Sequence, residues 1–173
     1  MKLFLIRHAV AEDREEFRSQ NPNDELRPLT EKGRKNFSKL CVTLHPYFTN
    51  VDLVVSSPYT RSKETAELFI SSIGLDTFAE APELVPHSPP IAFAKWLRNH
   101  ARTNREVVVI GHEPFLSLFA SYLLTGHELP ILSFKKSGVA CLEISTFSEM
   151  GPRSAHLAWL ISPKLIKICS SIR

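Results

Sequence analysis

Arg7 and His8 stand side by side at the end of a four-residue apolar run, Leu3 to Ile6. Arg61 follows a second apolar run, Val51 to Ser57, by way of Pro58, Tyr59 and Thr60, and His112 closes a third, Glu106 to Gly111. A guanidinium and an imidazole delivered by a buried strand are costly to desolvate without a partner. Two arginines and two histidines gathered at strand ends would form an anion site, because planar guanidinium forks match the oxygens of a phosphoryl group. Nearby arginines disfavour a protonated imidazole, so His8 would stay neutral and nucleophilic near neutral pH and could attack phosphorus, giving a phosphohistidine that water then hydrolyses. Arg7 and Arg61 would stabilise the charge spread over the equatorial oxygens, and His112, if protonated or donating through one nitrogen, would hold another oxygen. A lone histidine at a strand end is ordinarily a hydrogen-bonded structural residue; the Arg-His pair together with His112 argues for chemistry. No metal is expected, since no paired carboxylate or His-x-His spacing accompanies the histidines and the arginines would repel a cation.

These four residues have to be positioned by the elements around them. The three apolar runs read as buried parallel strands, whose C-terminal edge is where ligands bind. Ala9 to Pro28 is polar and reads as a long loop over the strand ends, with Glu12, Asp13, Glu15, Glu16, Asp24 and Glu25 as solvated charges. Thr30 caps a helix from about Glu31 to Tyr47. After the strand Val51 to Val55, Ser57 and Pro58 are a cap and first-turn pair for a helix that buries Ala66, Phe69, Ile70 and Ile73 and ends at Gly74. Arg61 would lie in its opening turn and lean back towards the strand ends. Thr77 to Leu84 is a short strand candidate ending near Glu83, followed by a helix from Ile91 to about Arg102. The strand Arg105 to Ile110 leads to an apolar helix, Phe115 to Leu124, closed by Gly126. Gly138 to Thr146 and Ser154 to Ile161 form a hairpin, and Lys164 to Ile168 a short final helix. The alternation predicts an α/β three-layer sandwich, with a mostly parallel central sheet, an antiparallel edge strand and helices on both faces.

At 173 residues the chain is expected to be a single domain, residues 1–173. The net charge of +3, from 21 basic and 18 acidic residues without a long run of either sign, does not suggest a nucleic-acid surface. Cys41, Cys141 and Cys169 are far apart and read as reduced thiols. The N-terminus enters a strand directly without a secretory signal, and no apolar run approaches the length of a membrane helix; a cytoplasmic location is expected, with no membrane partner.

Four motifs together resemble a known family: Arg7-His8, Arg27-Pro28-Leu29-Thr30-Glu31-Lys32-Gly33, Ser56-Ser57-Pro58-Tyr59-Thr60-Arg61 with Glu64-Thr65-Ala66, and Gly111-His112-Glu113-Pro114. They are similar to the histidine phosphatase (phosphoglycerate mutase-like) superfamily, and the chain's size and spacing resemble its SixA-type phosphohistidine phosphatase branch. The resemblance implies His8 as phosphoryl acceptor, with Arg7, Arg61 and His112 as the phosphate pocket, open to phosphate or sulfate, and no metal or organic cofactor. It also draws attention to Arg27 as a possible substrate contact. Ala9 departs from the glycine that most often follows the Arg-His pair, a substitution that matters only if the backbone there needs positive φ. The other departure is the general acid, for which Glu83 is the one candidate. Weak acid catalysis would suit the imidazole leaving group of a phosphohistidine-bearing protein better than an alkoxide. The alternatives are a small phosphate ester as substrate of a phosphomonoesterase, or a phosphate-binding regulatory module without turnover.

Overall fold

The computed structural model describes residues 1–170. Its centre is β1 (Lys2–Arg7), whose residues Leu3 to Ile6 are all buried because helices cover both faces of the sheet. Leu3 and Leu5 join one apolar cluster, and Phe4 and Ile6 join the other. β4 (Glu106–Gly111) divides in the same way, with Val107 and Val109 on one face and Val108 and Ile110 on the opposite one.

With β2 (Leu53–Ser56), β3 (Ala79–Glu80), β5 (Val139–Ile144) and β6 (Ala155–Ile161) the sheet has the order β3-β2-β4-β1-β5-β6. The pairs β2·β3, β2·β4 and β1·β4 are parallel. β5 runs against β1, and β6 runs against β5 with a register shift between Cys141 and Leu142. The expected α/β sandwich is therefore present, its antiparallel part being the hairpin at one edge. One face carries α4 (Pro90–His100) and α5 (Phe115–Thr125), packed through Phe93, Leu97, Phe115 and Phe119. The other carries α2 (Glu31–Leu44) and α3 (Thr60–Ile73), packed through Phe37, Leu40, Phe69 and Ile70. A terminal helix, Pro163–Ser170, adds Ile166 to that second cluster.

Several expected boundaries differ. Ala9 to Pro28 is not a plain loop. It folds a helix, α1 (Arg14–Gln20), and a 3-10 turn, Asp24–Leu26, and Ala11 bridges to Leu29. α1 buries none of its residues, so no apolar period announces it. Asp13 is exposed, as expected of a solvated charge, and also caps it by accepting from the backbone N–H groups of Glu15 and Glu16 at 2.8 and 3.2 Å. α2 gives way at Leu44 to a 3-10 turn, His45–Tyr47. The helix that carries Arg61 begins at Thr60 rather than at Pro58, and Tyr59 precedes it with no side-chain cap. Strand β3 is only two residues long, and Glu83 sits in the 3-10 turn Pro82–Leu84 instead of at a strand end.

Gly33 shows why the Arg-Pro-Leu-Thr-Glu-Lys-Gly segment needs its glycine. A Cβ there would lie 2.1 Å from the Val10 carbonyl oxygen, which accepts from Thr30 N at 3.0 Å and ties α2 to the chain following His8. Cys41 and Cys141 are free and buried, and burial pushes their thiols up to about 12 and about 11, so neither is a ready nucleophile. The side chain of Cys169 lies outside the described residues. Among the described residues no helix is long and apolar enough to cross a membrane.

Candidate active site

Sheet register brings the predicted residues to one edge. Arg7 is opposite Gly111 and Ser56 is opposite Ile110, and the ladder continues one residue further as His8 N donates to Gly111 O at 3.0 Å and Ser57 N to Ile110 O at 3.0 Å. Arg7-His8, Ser56-Ser57 and Gly111-His112 thus leave the sheet at the same height. The His8 and His112 rings stand 5.2 Å apart, centroid to centroid.

His8 is buried, and its Nδ1 lies 2.7 Å from the Ala9 carbonyl oxygen. A carbonyl only accepts, so Nδ1 carries the proton and Nε2 presents a lone pair. Burial, with the charges of Arg61, Arg7 and Arg27, lowers the His8 pKa to about 3. The ring is consequently neutral throughout the physiological range. Thr65, one turn into α3 from Arg61, fixes the next peptide: its Oγ1 accepts from Ala9 N at 3.1 Å and donates to Arg61 O at 2.6 Å. Ser137 and Arg153 are the only non-glycine residues with positive φ among those described, so Ala9 meets no strain where a glycine was the commoner choice.

Arg7 donates through Nη1 to Phe134 O at 2.7 Å. The same loop closes on its backbone: Arg7 N donates to Gly138 O at 3.1 Å, and Ser137 N, in a left-handed turn at φ 61°, donates to Arg7 O at 3.1 Å. Glu113 holds that loop in place, its Oε1 accepting from Phe134 N at 2.8 Å and from Ser117 Oγ at 2.7 Å. Burial lowers the Arg7 pKa against the opposing pull of Glu113.

Arg61 is 2 % exposed and points back over the strand ends, as expected for the first turn of α3. Its neighbour is Asp24, expected to be a free solvated charge but found partly exposed and paired with arginines. Arg61 Nη1 donates to Asp24 O at 2.7 Å and Nη2 pairs with Oδ2 at 3.1 Å. Arg27, 6 % exposed, joins them with Nε 2.8 Å from Asp24 Oδ1 and Nη1 donating to Glu12 O at 2.7 Å. A cation opposing the dipole of α3 here has the carboxylate it needs. The Arg61 guanidinium also lies 4.9 Å from the centroid of the Tyr59 ring.

His112 is held from one side by serines: Nε2 is 2.8 Å from Ser57 Oγ and 3.3 Å from Ser62 Oγ. Burial, then His8 and the arginines, lowers its pKa to about 2, so His112 is neutral rather than cationic. Its Nδ1 is buried and unpartnered, as are the Nε atoms of Arg7 and Arg61. When a serine hydroxyl donates to Nε2, the ring proton sits on Nδ1 and makes that atom a donor.

Glu83 is the predicted residue that the structure does not join to the others. Its Oε2 is buried without a hydrogen-bond partner, and no hydrogen bond or ion pair connects it to Arg7, His8, Arg61 or His112 among the described residues. The residues missed from the sequence are Asp24, Ser57, Ser62, Thr65 and Glu113. Thr65 and Ser57 lie inside motifs already noted, but nothing in their spacing says which backbone or ring nitrogen they serve. Beside the site opens a cavity of about 400 Å³, lined by Arg14, Phe17, Arg18, Asp24, Tyr59 and Glu113 among others. Among the described residues no group of three or more His, Cys, Asp or Glu side chains could hold a metal ion.

Residues 3–84 match the family model of the histidine phosphatase superfamily, branch 1. Along nearly its whole length the chain is 27 % identical to the phosphohistidine phosphatase SixA of Escherichia coli K12, over 99 % of this chain and 100 % of that protein. The chain is similar to the histidine phosphatase superfamily in both comparisons. An uncharacterized protein of Picosynechococcus is 28 % identical over 95 % of this chain and 98 % of its own length. The fold matches that of a protein histidine phosphatase SixA solved with tungstate, at a TM-score of 0.79 and 24 % identity, covering 96 % of this chain and 99 % of the other. The superfamily's name gives the coarse class, a phosphatase, and the family model covers three of the four motifs, stopping short of His112.

Proposed function

We propose that this chain is a cytoplasmic, metal-independent phosphatase that removes the phosphoryl group from phosphohistidine on a partner protein, through a covalent intermediate on His8. The observation that carries the reading is the tautomer imposed on His8: Ala9 O accepts a hydrogen bond from Nδ1–H, which leaves the lone pair on Nε2, with the charges of three arginines nearby. In the first step Nε2 attacks phosphorus, the substrate's P–N bond breaks, and its electron pair stays on the departing imidazole. That imidazole, protonated on its other nitrogen, leaves neutral and requires no strong acid, which suits a site where Glu83 makes no hydrogen bond to His8 among the described residues. In the second step water attacks phosphorus, the P–Nε2 bond breaks and inorganic phosphate departs. Arg7, Arg61 and Arg27 supply the fixed positive charge that the transferring phosphoryl group needs, and His112 donates to a further oxygen through Nδ1.

The resemblance to SixA across the full length supports phosphohistidine as the scissile group. The cavity of about 400 Å³ favours a second reading, a phosphomonoesterase acting on a small phosphate ester. A substrate panel decides between them. Phosphohistidine protein should be turned over with the higher kcat/KM; faster turnover of small esters, with dependence on Glu83 shown by slowing in Glu83→Gln, would replace the first reading by the second.

A further inference from the structure

The carboxylate of Asp24 lies on the very arginines that the proposed reaction needs, which makes it either a competitor of phosphate or a prop for the pocket. The hydrogen bonds separate the two. A guanidinium offers five N–H donors on distinct edges. Asp24 takes Arg61 end-on, its backbone oxygen on Nη1 and its carboxylate on Nη2, while Nε stays buried and unpartnered. A competitor would occupy the side-on edge containing Nε; Asp24 leaves that edge for a ligand. It also sits on a braced turn: Asn21 Oδ1 accepts from Asn23 N at 3.0 Å, and Asn23 Oδ1 from Glu25 N at 3.1 Å. Arg61 and Arg27 are almost fully buried, whereas the Asp24 side chain is 37 % exposed. Two dry cations are therefore oriented by one wet anion.

We infer that Asp24 is a positioning residue, acting on substrate only through Arg61 and Arg27. It holds Arg61 by its far edge so that Nε and the adjoining Nη present a bidentate face to the phosphoryl group. The charges agree with this: Arg7, Arg27 and Arg61 carry three positive charges, and a phosphoryl dianion together with Asp24 supplies three negative ones. Partial burial alone would raise the Asp24 carboxyl, yet Arg27, Arg61 and Arg14 outweigh it and hold the group below its ordinary value, so the anion persists at neutral pH.

This inference rests on the proposed phosphatase reading for its kinetics but not for its structural readout. Asp24→Asn keeps the shape and removes the charge; Asp24→Glu keeps the charge on a longer arm. The expected kcat falls by about 10- to 100-fold in Asp24→Asn, as for a misplaced catalytic group, and recovers in part in Asp24→Glu. Affinity for inorganic phosphate falls much less than kcat, because loss of a neighbouring negative charge offsets the loss of orientation. In the wild type, inorganic phosphate should displace the Arg61 Nε–H resonance, assigned through Arg61→Lys, and in Asp24→Asn that displacement should be lost while phosphate still binds. Unchanged kcat in Asp24→Asn, tighter phosphate binding with kcat retained, or an Nε–H response identical to the wild type would each overturn the inference. If the wild type turns over no phosphorylated substrate, the phosphatase reading fails, and the resonance still tests Asp24.

Discussion

The ring of His8 lies 5.2 Å from that of His112 at an interplanar angle of 57°, and each ring is fixed by a different partner: His8 by the Ala9 carbonyl, His112 by the hydroxyl of Ser57. Both are neutral, because burial and three arginines make a further cation in that space unfavourable. An imidazole kept neutral and aimed is a nucleophile; the same imidazole protonated would be none.

Neutral burial has a cost that acid exposes. The His8 pKa is about 3 and that of His112 about 2 in the fold, against 6.5 for an ordinary histidine. Unfolding between these limits takes up protons, so stability is full above pH 6.5 and falls as the pH drops towards 3. Each histidine contributes up to about 1.4 kcal/mol per pH unit in that window. Urea unfolding at pH 7, 6 and 5 should show this decline, and the His112→Gln variant should lose about one proton of the uptake. An identical slope in the variant would mean that His112 is already charged in the fold.

Thr65 links the nucleophile to the helix that carries Arg61. Thr65→Val removes the acceptor for the buried Ala9 N–H, and should destabilise the fold by about 1–3 kcal/mol, the cost of an unsatisfied buried donor. It should also lower kcat, since Ala9 O sets the His8 tautomer. Thr65→Ser, which keeps the hydroxyl, should restore most of both. Thermal melts and kinetics on the two variants give the comparison, and a loss in Thr65→Ser with none in Thr65→Val would show that the methyl group matters rather than the hydrogen bond.

Gly33 is needed for space rather than for its dihedral freedom. Gly33→Ala would place a methyl group against the Val10 carbonyl, a backbone atom that cannot swing aside. A loss of at least about 2 kcal/mol is expected in chemical denaturation, in the upper part of the range for overpacking. Because Val10 follows the Arg-His-Ala segment, activity should fall at temperatures where the variant is still folded. A variant as stable as the wild type would mean that α2 can shift away from Val10 at no cost.

The strand ends were legible in the sequence because each carries an apolar run that stops at a charged or titratable residue. Leu3 to Ile6 before Arg7 and Glu106 to Gly111 before His112 both read directly as buried strands, and parallel register then did the rest. The segment between Ala9 and Pro28 was opaque for the converse reason. α1 buries nothing, so its residues show no period, and Asp24 looked like any other acid in a polar stretch. Its role depends on a three-dimensional coincidence: a 3-10 turn lays it across Arg61, 37 positions later in the chain. Ser57 misled for a related reason. Ser-Pro before an apolar helix signals an N-cap, but the hydroxyl here faces the His112 ring, and α3 starts later without a side-chain cap. Thr77 to Leu84 reads as extended and would put Glu83 at a strand end, whereas Pro82 starts a tight turn that gives the carboxylate a different setting.

Regiochemistry at His8 tests the central claim most directly. The protein is mixed briefly with a phosphohistidine-bearing protein, quenched in alkali to preserve the P–N bond, and the peptide containing His8 is analysed by mass spectrometry and by phosphorus–nitrogen coupled NMR. Phosphate should be found on Nε2 of His8, and both the label and turnover should vanish in His8→Ala. Phosphate on Nδ1, or turnover that survives in His8→Ala, would contradict the account.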